Sequence, residues 1–180
     1  GFIHRPFIVW EPFSAACPTQ NQASFIEACR LVDVVSPNHL EMTAMFENSP
    51  SEAFQPDRLK TYALEFSKAT GPDGSGIVIV RAGEHGSLTT QNSGKSVWLP
   101  PYYESSVAKV VDPTGGGNTC LGGFIAGWKA SGDIAKASID GNVAASFAIE
   151  QISLLSCELS DGEERWNGAR VMERLAEYRA

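Results

Sequence analysis

Residues 112–123 read D-P-T-G-G-G-N-T-C-L-G-G. Five of the twelve are glycine, and they lie between a strand-like run, Lys109–Val111, and a helix-like run from about Thr119 to Ala130. A strand, a glycine turn and a helix start together make an anion site. N–H groups of the first helical turn point outward, and the helix dipole places about half a positive charge there. Glycines let that backbone approach a phosphate closely and adopt positive φ. The alternative is a tight turn whose glycines serve packing alone.

Two well-known glycine loops do not fit. A P-loop needs Lys and then Ser or Thr after the second glycine of G-x-x-x-x-G. Gly117 and Gly122 have that spacing, but Gly123 and Phe124 follow, so no lysine can reach a phosphate from there. The dinucleotide fingerprint G-x-G-x-x-G fits Gly115 and Gly117 but meets Cys120 at its third position.

On either side of this stretch, strand and helix patterns alternate. P-F-I-V-W-E, residues 6–11, is a short apolar run ended by Pro12, and L-V-D-V-V-S, residues 31–36, is a β-branched run stopped by Pro37. A helix pattern over Thr19–Arg30 separates them. Asn38 can cap a helix running to about Asn48, and a polar loop with Pro50 and Pro56 follows. The apolar spacing of Leu59, Ala63, Leu64 and Phe66 predicts a helix over Asp57–Ala69. I-V-I-V-R, residues 77–81, is an apolar strand, and Gly86–Thr90 and Ser96–Leu99 are shorter ones joined by an Asn-Ser-Gly turn. Ile134–Ile152 reads as a long Ala-rich helix and Asn167–Tyr178 as a final amphipathic one, with Cys157–Arg165 expected to be a mobile loop. Alternating elements with uniformly apolar strands predict an α/β fold, a mainly parallel sheet with helices on both faces.

With 180 residues, 43% of them hydrophobic, the chain can bury a core of ordinary size. Its net charge of −7, without any Lys/Arg cluster, argues against nucleic acid or an anionic membrane as partner. It has no apolar run long enough to span a bilayer. Cys17, Cys29, Cys120 and Cys157 are scattered and stand apart from His4, His39 and His85. That spacing predicts free buried thiols in a reducing compartment rather than a zinc site, and with no secretory pattern a cytoplasmic location.

A third glycine pattern fits residues 112–123. The stretch resembles the C-terminal signature of the PfkB, ribokinase-like carbohydrate kinases, which runs Asp-Thr-Thr-Gly-Ala-Gly-Asp and then, after three variable residues, small residues. Asp112, Thr114, Gly115, Gly117, Gly122 and Gly123 align with it without a gap. Pro37-Asn38-His39-Leu40-Glu41 is similar to the family's N-x-x-E motif, and I-V-I-V-R-A-G-E-H-G, residues 77–86, to its strand and G-x-x-G segment beside the nucleotide. Taken alone, N-x-x-E reads first as a helix cap with an exposed glutamate, and residues 77–86 equally as a plain strand-turn-strand.

The resemblance implies a ribokinase-like three-layer α/β/α fold, with this chain as its C-terminal, nucleotide-binding portion and the N-terminal part and lid missing. It implies ATP and Mg2+ as cofactors. Gly115, Gly116 and Gly117 would form the anion hole that stabilises a moving phosphoryl group. Asp112, Thr114, Gly83, Gly86 and Asn142 would lie by the nucleotide. Asn38 and Glu41 would position the magnesium and phosphates, largely through water, as suits a hard ion that keeps its waters. The phosphoryl acceptor would be a sugar or nucleoside hydroxyl.

Asn118 departs from the pattern, because it stands where the family has its catalytic aspartate. A neutral amide cannot take the proton of a substrate hydroxyl. G-G-G-N, W-E-P and S-P-N-H-L-E together look most like the fungal "maintenance of killer" branch of the family. The expectation is therefore a carbohydrate-kinase-like protein with doubtful catalysis. A nucleotide-binding pseudokinase or scaffold is the alternative, and an unrelated α/β binding module a third.

Overall fold

The computed structural model describes residues 5–49, 51, 53–104, 108–160 and 162–179. His4 and Pro50 lie outside the described residues. The chain divides into two compact units, one comprising residues 1–82 and 88–98, the other residues 83–87 and 99–180.

The first unit carries a five-stranded sheet in the order β1 (Val9–Trp10), β2 (Val34–Val35), β3 (Ile77–Arg81), β4 (Ser87–Gln91) and β5 (Ser96–Leu99). β1, β2 and β3 run parallel, with Val9 opposite Val34, Val34 opposite Ile77 and Val35 opposite Val78. The chain returns between them through α1 (Gln22–Cys29), then through α2 (His39–Phe46) and α3 (Pro56–Ser67). The links from β3 to β4 and from β4 to β5 are far too short for a parallel crossover, so β4 and β5 add as hairpin partners. The sheet is thus a parallel core extended by a hairpin.

β3 forms where five successive residues favour a pleated, buried backbone, and its first four are buried. Val78 and Val80 pack with Val35 against Phe25 and Cys29 of α1, Met42 and Met45 of α2, and Leu59, Ala63 and Phe66 of α3. Trp10 stacks on Phe25 at 4.4 Å, and Phe46 on Tyr62 at 4.0 Å. Val34, Ile77 and Ile79, on the opposite face of the strands, are buried as well. Burial on both faces is why these strands read as continuous apolar runs.

The second unit is built on α4 (Gly116–Ser131) and α5 (Ile134–Ala148), followed by the hairpin β6 (Cys157–Ser160) and β7 (Glu163–Trp166) and by α6 (Val171–Arg179). Gly132, at φ +63°, ends α4 by donating its N–H to the Trp128 carbonyl at 2.8 Å. Asp133 then caps α5, accepting the Ala135 and Lys136 N–H groups. α4 and α5 pack with their backbones close. A β-carbon on Gly123 would lie 2.6 Å from Ala144 Cβ and 2.7 Å from the Asp140 carbonyl. α6 closes the unit by placing Leu175 against Val143 and Phe147 of α5.

Three expectations are corrected. The expected loop over Cys157–Arg165 contains a paired antiparallel hairpin, with Cys157 opposite Trp166 and Ser160 opposite Glu163. The Asp-Gly pair at 161–162 is the hairpin signal that explains it; Asp161 itself lies outside the described residues. Lys109–Val111 is not a strand: Val111 is 54% exposed, and its N–H bonds to the end of α5 instead of a sheet. Cys157 is exposed, while the other three cysteines are buried, and none of the four is in a disulfide among the described residues. Burial raises the Cys17 thiol to about 11, with the nearby Glu41 charge adding to it, and raises Cys29 to about 12. Among the described residues, no helix is long and apolar enough to cross a membrane.

Candidate functional site

α4 begins three residues earlier than its apolar pattern suggests. Gly115 sits at φ +84°, ψ −15°, a left-handed conformation that costs glycine little, and from there the chain enters the helix at Gly116. Gly117 and Asn118 are therefore first-turn residues rather than loop. The first N–H groups of any helix have no intrahelical partner. The Gly116 N–H turns back to the Pro113 carbonyl at 3.2 Å. Gly115 has no side chain with which to cap the others. The helix start is thus an open set of backbone donors at the positive end of the dipole. Asn118 is exposed there, and among the described residues no hydrogen bond holds its side chain.

The approach to this helix is fixed by short-range and long-range bonds. The Asp112 carboxylate accepts the Thr114 N–H at 2.9 Å. Hydrogen bonds from the Thr114 hydroxyl and backbone hold that carboxyl below its usual range. One carbonyl, that of Ile149 at the end of α5, accepts both the Val111 N–H at 2.8 Å and the Asp112 N–H at 3.2 Å.

Gly83 and Gly86 bracket a 3-10 turn closed by Gly86 N–H to Gly83 O at 3.0 Å. Gly86, at φ +88°, passes so close to the Leu99 carbonyl that a β-carbon there would collide with it. Asn142 of α5 is 7% exposed and bonded at both ends of its amide. Its oxygen accepts from Ser87 Oγ at 2.9 Å, and its nitrogen donates to the Pro100 carbonyl at 3.1 Å and to Tyr178 Oη at 2.8 Å. Asn142 therefore ties the Gly83–Ser87 turn to α5.

In the first unit, Asn38 and Glu41 form a complete capping box at the start of α2. Glu41 is 7% exposed, not the exposed cap glutamate of the plain reading. Its Oε2 accepts the Asn38 N–H at 2.8 Å and its Oε1 accepts the Ser14 hydroxyl at 2.6 Å. Next to this turn, Arg81 ends β3. Its guanidinium donates to Ser36 Oγ at 3.1 Å and to the Ser36 carbonyl at 3.0 Å, and pairs with Glu11 at 2.6 Å. The Arg81 N–H donates to the Pro37 carbonyl. Glu11, Ser36 and Arg81 thus mark the carboxyl ends of three parallel strands, the edge at which open α/β sheets bind ligands.

Among the described residues, no group of three or more His, Cys, Asp or Glu side chains could hold a metal ion. Glu41 has lone pairs left for water, so the donor set suits an outer-shell contact to a magnesium ion carried by phosphates.

The site residues expected from sequence thus fall into three groups. Asp112, Thr114, Gly115, Gly116, Gly117 and Asn118 meet at one helix start. Gly83, Gly86 and Asn142 are linked through Ser87. Asn38 and Glu41 belong to the first unit. Arg81, Glu11, Ser14, Ile149 and Glu150 went unread, although a lone arginine ending I-V-I-V-R and the Glu of W-E-P were visible signals.

The fold is ribokinase-like. A ribokinase from Arabidopsis thaliana, solved in complex with ribose and ATP, superposes with a TM-score of 0.63 at 17% identity, over 94% of this chain and 47% of that one. Adenosine kinase from Sinorhizobium meliloti gives a TM-score of 0.60 at 27% identity, over 80% of this chain and 39% of that one. Residues 13–161 match the pfkB family of carbohydrate kinases, and the chain belongs to that family. Protein MAK32 of Saccharomyces cerevisiae is 31% identical over 181 residues, covering 97% of this chain and 49% of its own length. The chain spans about half the length of the curated relatives it matches, which are fungal and agree with the expected branch.

Proposed function

We propose that this chain is the nucleotide-binding portion of a carbohydrate-kinase-like protein, and that Asn118 leaves it a poor catalyst. The observation that carries the reading is the open start of α4. Gly115 turns the chain into the helix, among the described residues no side chain caps the first-turn donors, and Asn118 stands exposed among them. Donors preorganised at a helix start suit the charge that spreads over a transferred phosphoryl group. ATP is the donor this reading names, and Mg2+ enters with it. A bound Mg2+ supplies charge neutralisation on the phosphates. Asp112 and Thr114 hold the approach to the helix. Gly83 and Gly86 present the backbone of a second turn to the nucleotide, and Asn142 secures that turn. The acceptor is a hydroxyl of a sugar or nucleoside, the chemistry named for the family and for the adenosine kinase neighbour.

The amide at 118 keeps the size and hydrogen bonding of a carboxylate but not its basicity, which favours nucleotide binding without efficient transfer. General base catalysis contributes about 10² to 10⁴ in rate. ADP release is to be followed with Mg·ATP and a panel of sugars and nucleosides, for the unaltered chain and for Asn118→Asp. The reading expects the substitution to raise turnover by about that factor. Rapid turnover by the unaltered chain would end the poor-catalyst reading.

A further inference from the structure

Arg174, in α6, is 7% exposed. One of its terminal nitrogens donates to both oxygens of Glu150 at 2.8 Å, and the other donates to Ser146 Oγ at 2.9 Å. Its guanidinium lies 3.7 Å from the centre of the Phe147 ring. Tyr103 and Asn167 donate to the same carboxylate. Glu150 is therefore held from several sides at the point where α5 ends.

The neighbouring residue explains why that matters. The last carbonyls of a helix have no intrahelical partner. The Ile149 carbonyl, at the C-cap of α5, finds its partners in the N–H groups of Val111 and Asp112. The Ile149 side chain also lies under the first residue of α4, because a β-carbon on Gly116 would be 2.8 Å from its Cγ2. One residue thus supports the glycine segment before and after its turn. A helix end is free to fray unless something outside the helix fixes it. A charge-assisted arginine–carboxylate contact fixes position as well as adding energy.

We propose that Arg174 is a positioning residue for the phosphate-binding helix start. Through Glu150 it sets the end of α5, and through Ile149 it sets where Val111, Asp112 and Gly116 lie, and hence where the donors at the start of α4 point. A site at one end of α4 is in this way tied to the last helix of the chain. The functional half of this inference rests on the nucleotide-binding reading above.

The test uses the full chain in four forms: unaltered, Arg174→Gln, Glu150→Gln and, as a control on the same helix, Leu175→Ala. Amide hydrogen exchange at Val111 and Asp112 is read together with the dissociation constant for Mg·ATP. Arg174→Gln and Glu150→Gln are expected to speed exchange at those two amides and to weaken Mg·ATP binding, each by about tenfold, the size of a typical remote coupling. Leu175→Ala is expected to lower the melting temperature but to change both readings much less than Arg174→Gln does. Exchange at Val111 and Asp112 that responds equally to Arg174→Gln and Leu175→Ala overturns the positioning role. An unaltered chain that does not bind Mg·ATP overturns the nucleotide reading instead, and the exchange data still decide the role of Arg174. If Arg174→Gln does not fold, Glu150→Gln, which keeps an acceptor without the charge, decides it.

Discussion

Asn38 and Glu41 bind each other twice: the Asn38 side chain accepts the Glu41 N–H at 2.8 Å, and the Glu41 carboxylate accepts the Asn38 N–H at 2.8 Å. The pair is a structural cap whatever else it does. Asn38→Ala should lower the unfolding free energy by about 1 kcal/mol, the usual cost of a lost cap. Glu41→Ala should cost more, about 1–3 kcal/mol, because it also strands the partly buried Asn38 N–H. Urea denaturation of the two variants measures the order, and an unchanged midpoint for both would mean that the box does not hold α2.

Asn118 stands in the first turn of α4, where the dipole favours negative charge. Asn118→Asp should therefore raise the stability of the ligand-free chain by about 0.3–1 kcal/mol at low salt, and less at high salt. Denaturation at two ionic strengths checks this. A stabilisation that does not change with salt would point to a cause other than the helix end.

Much of this fold is legible in the sequence where one physical preference acts alone. β3 has the expected bounds because I-V-I-V-R is apolar from end to end, and α2 starts where Asn38 can cap it. The start of α4 is harder to read. Three successive glycines suggest a turn, but only Gly115 takes positive φ, and Gly116 and Gly117 continue into the helix. The strand expected before the motif does not form, and the Val111 N–H bonds instead to Ile149, a residue almost forty positions away. Such long-range partners leave no local pattern. The same holds for Asn142, which reads as one residue of an Ala-rich helix yet joins Ser87, Pro100 and Tyr178.

The glycines of residues 112–123 serve two purposes, and substitution separates them. Gly123 faces Ala144 and the Asp140 carbonyl with no room for a β-carbon. Gly123→Ala should force α4 and α5 apart and cost about 1–3 kcal/mol, as overpacked cores do. Thermal unfolding measures the loss. A variant as stable as the unaltered chain would contradict the close packing described here.

The Glu150 carboxyl feels opposing influences. Burial pushes its pKa up, but hydrogen bonds from Arg174, Tyr103 and Asn167, with the charge of Arg174, outweigh burial and hold it below the ordinary value of 4.5. A carboxyl with a lowered folded pKa adds stability above its unfolded pKa and loses it as pH falls through the folded one. The stability of the unaltered chain should therefore drop as pH falls below about 4.5. In Glu150→Gln the stability should start lower at neutral pH and fall less over the same window. Parallel stability–pH curves for the two proteins would remove Glu150 from the account.

The central claim is that the open start of α4 binds phosphate, and Gly115 offers the most direct test. Among the described residues a β-carbon there meets nothing within 4 Å; φ +84° strains any side chain, but Asp is among those that enter left-handed backbone most readily. Gly115→Asp should thus fold while placing a negative charge beside the helix-start donors. The measurement is the melting temperature of the full chain and of this variant with and without saturating Mg·ATP, since a ligand of the folded state must stabilise it. The account predicts a clear rise for the unaltered chain and none for Gly115→Asp. No rise for the unaltered chain, or equal rises for both, would contradict it.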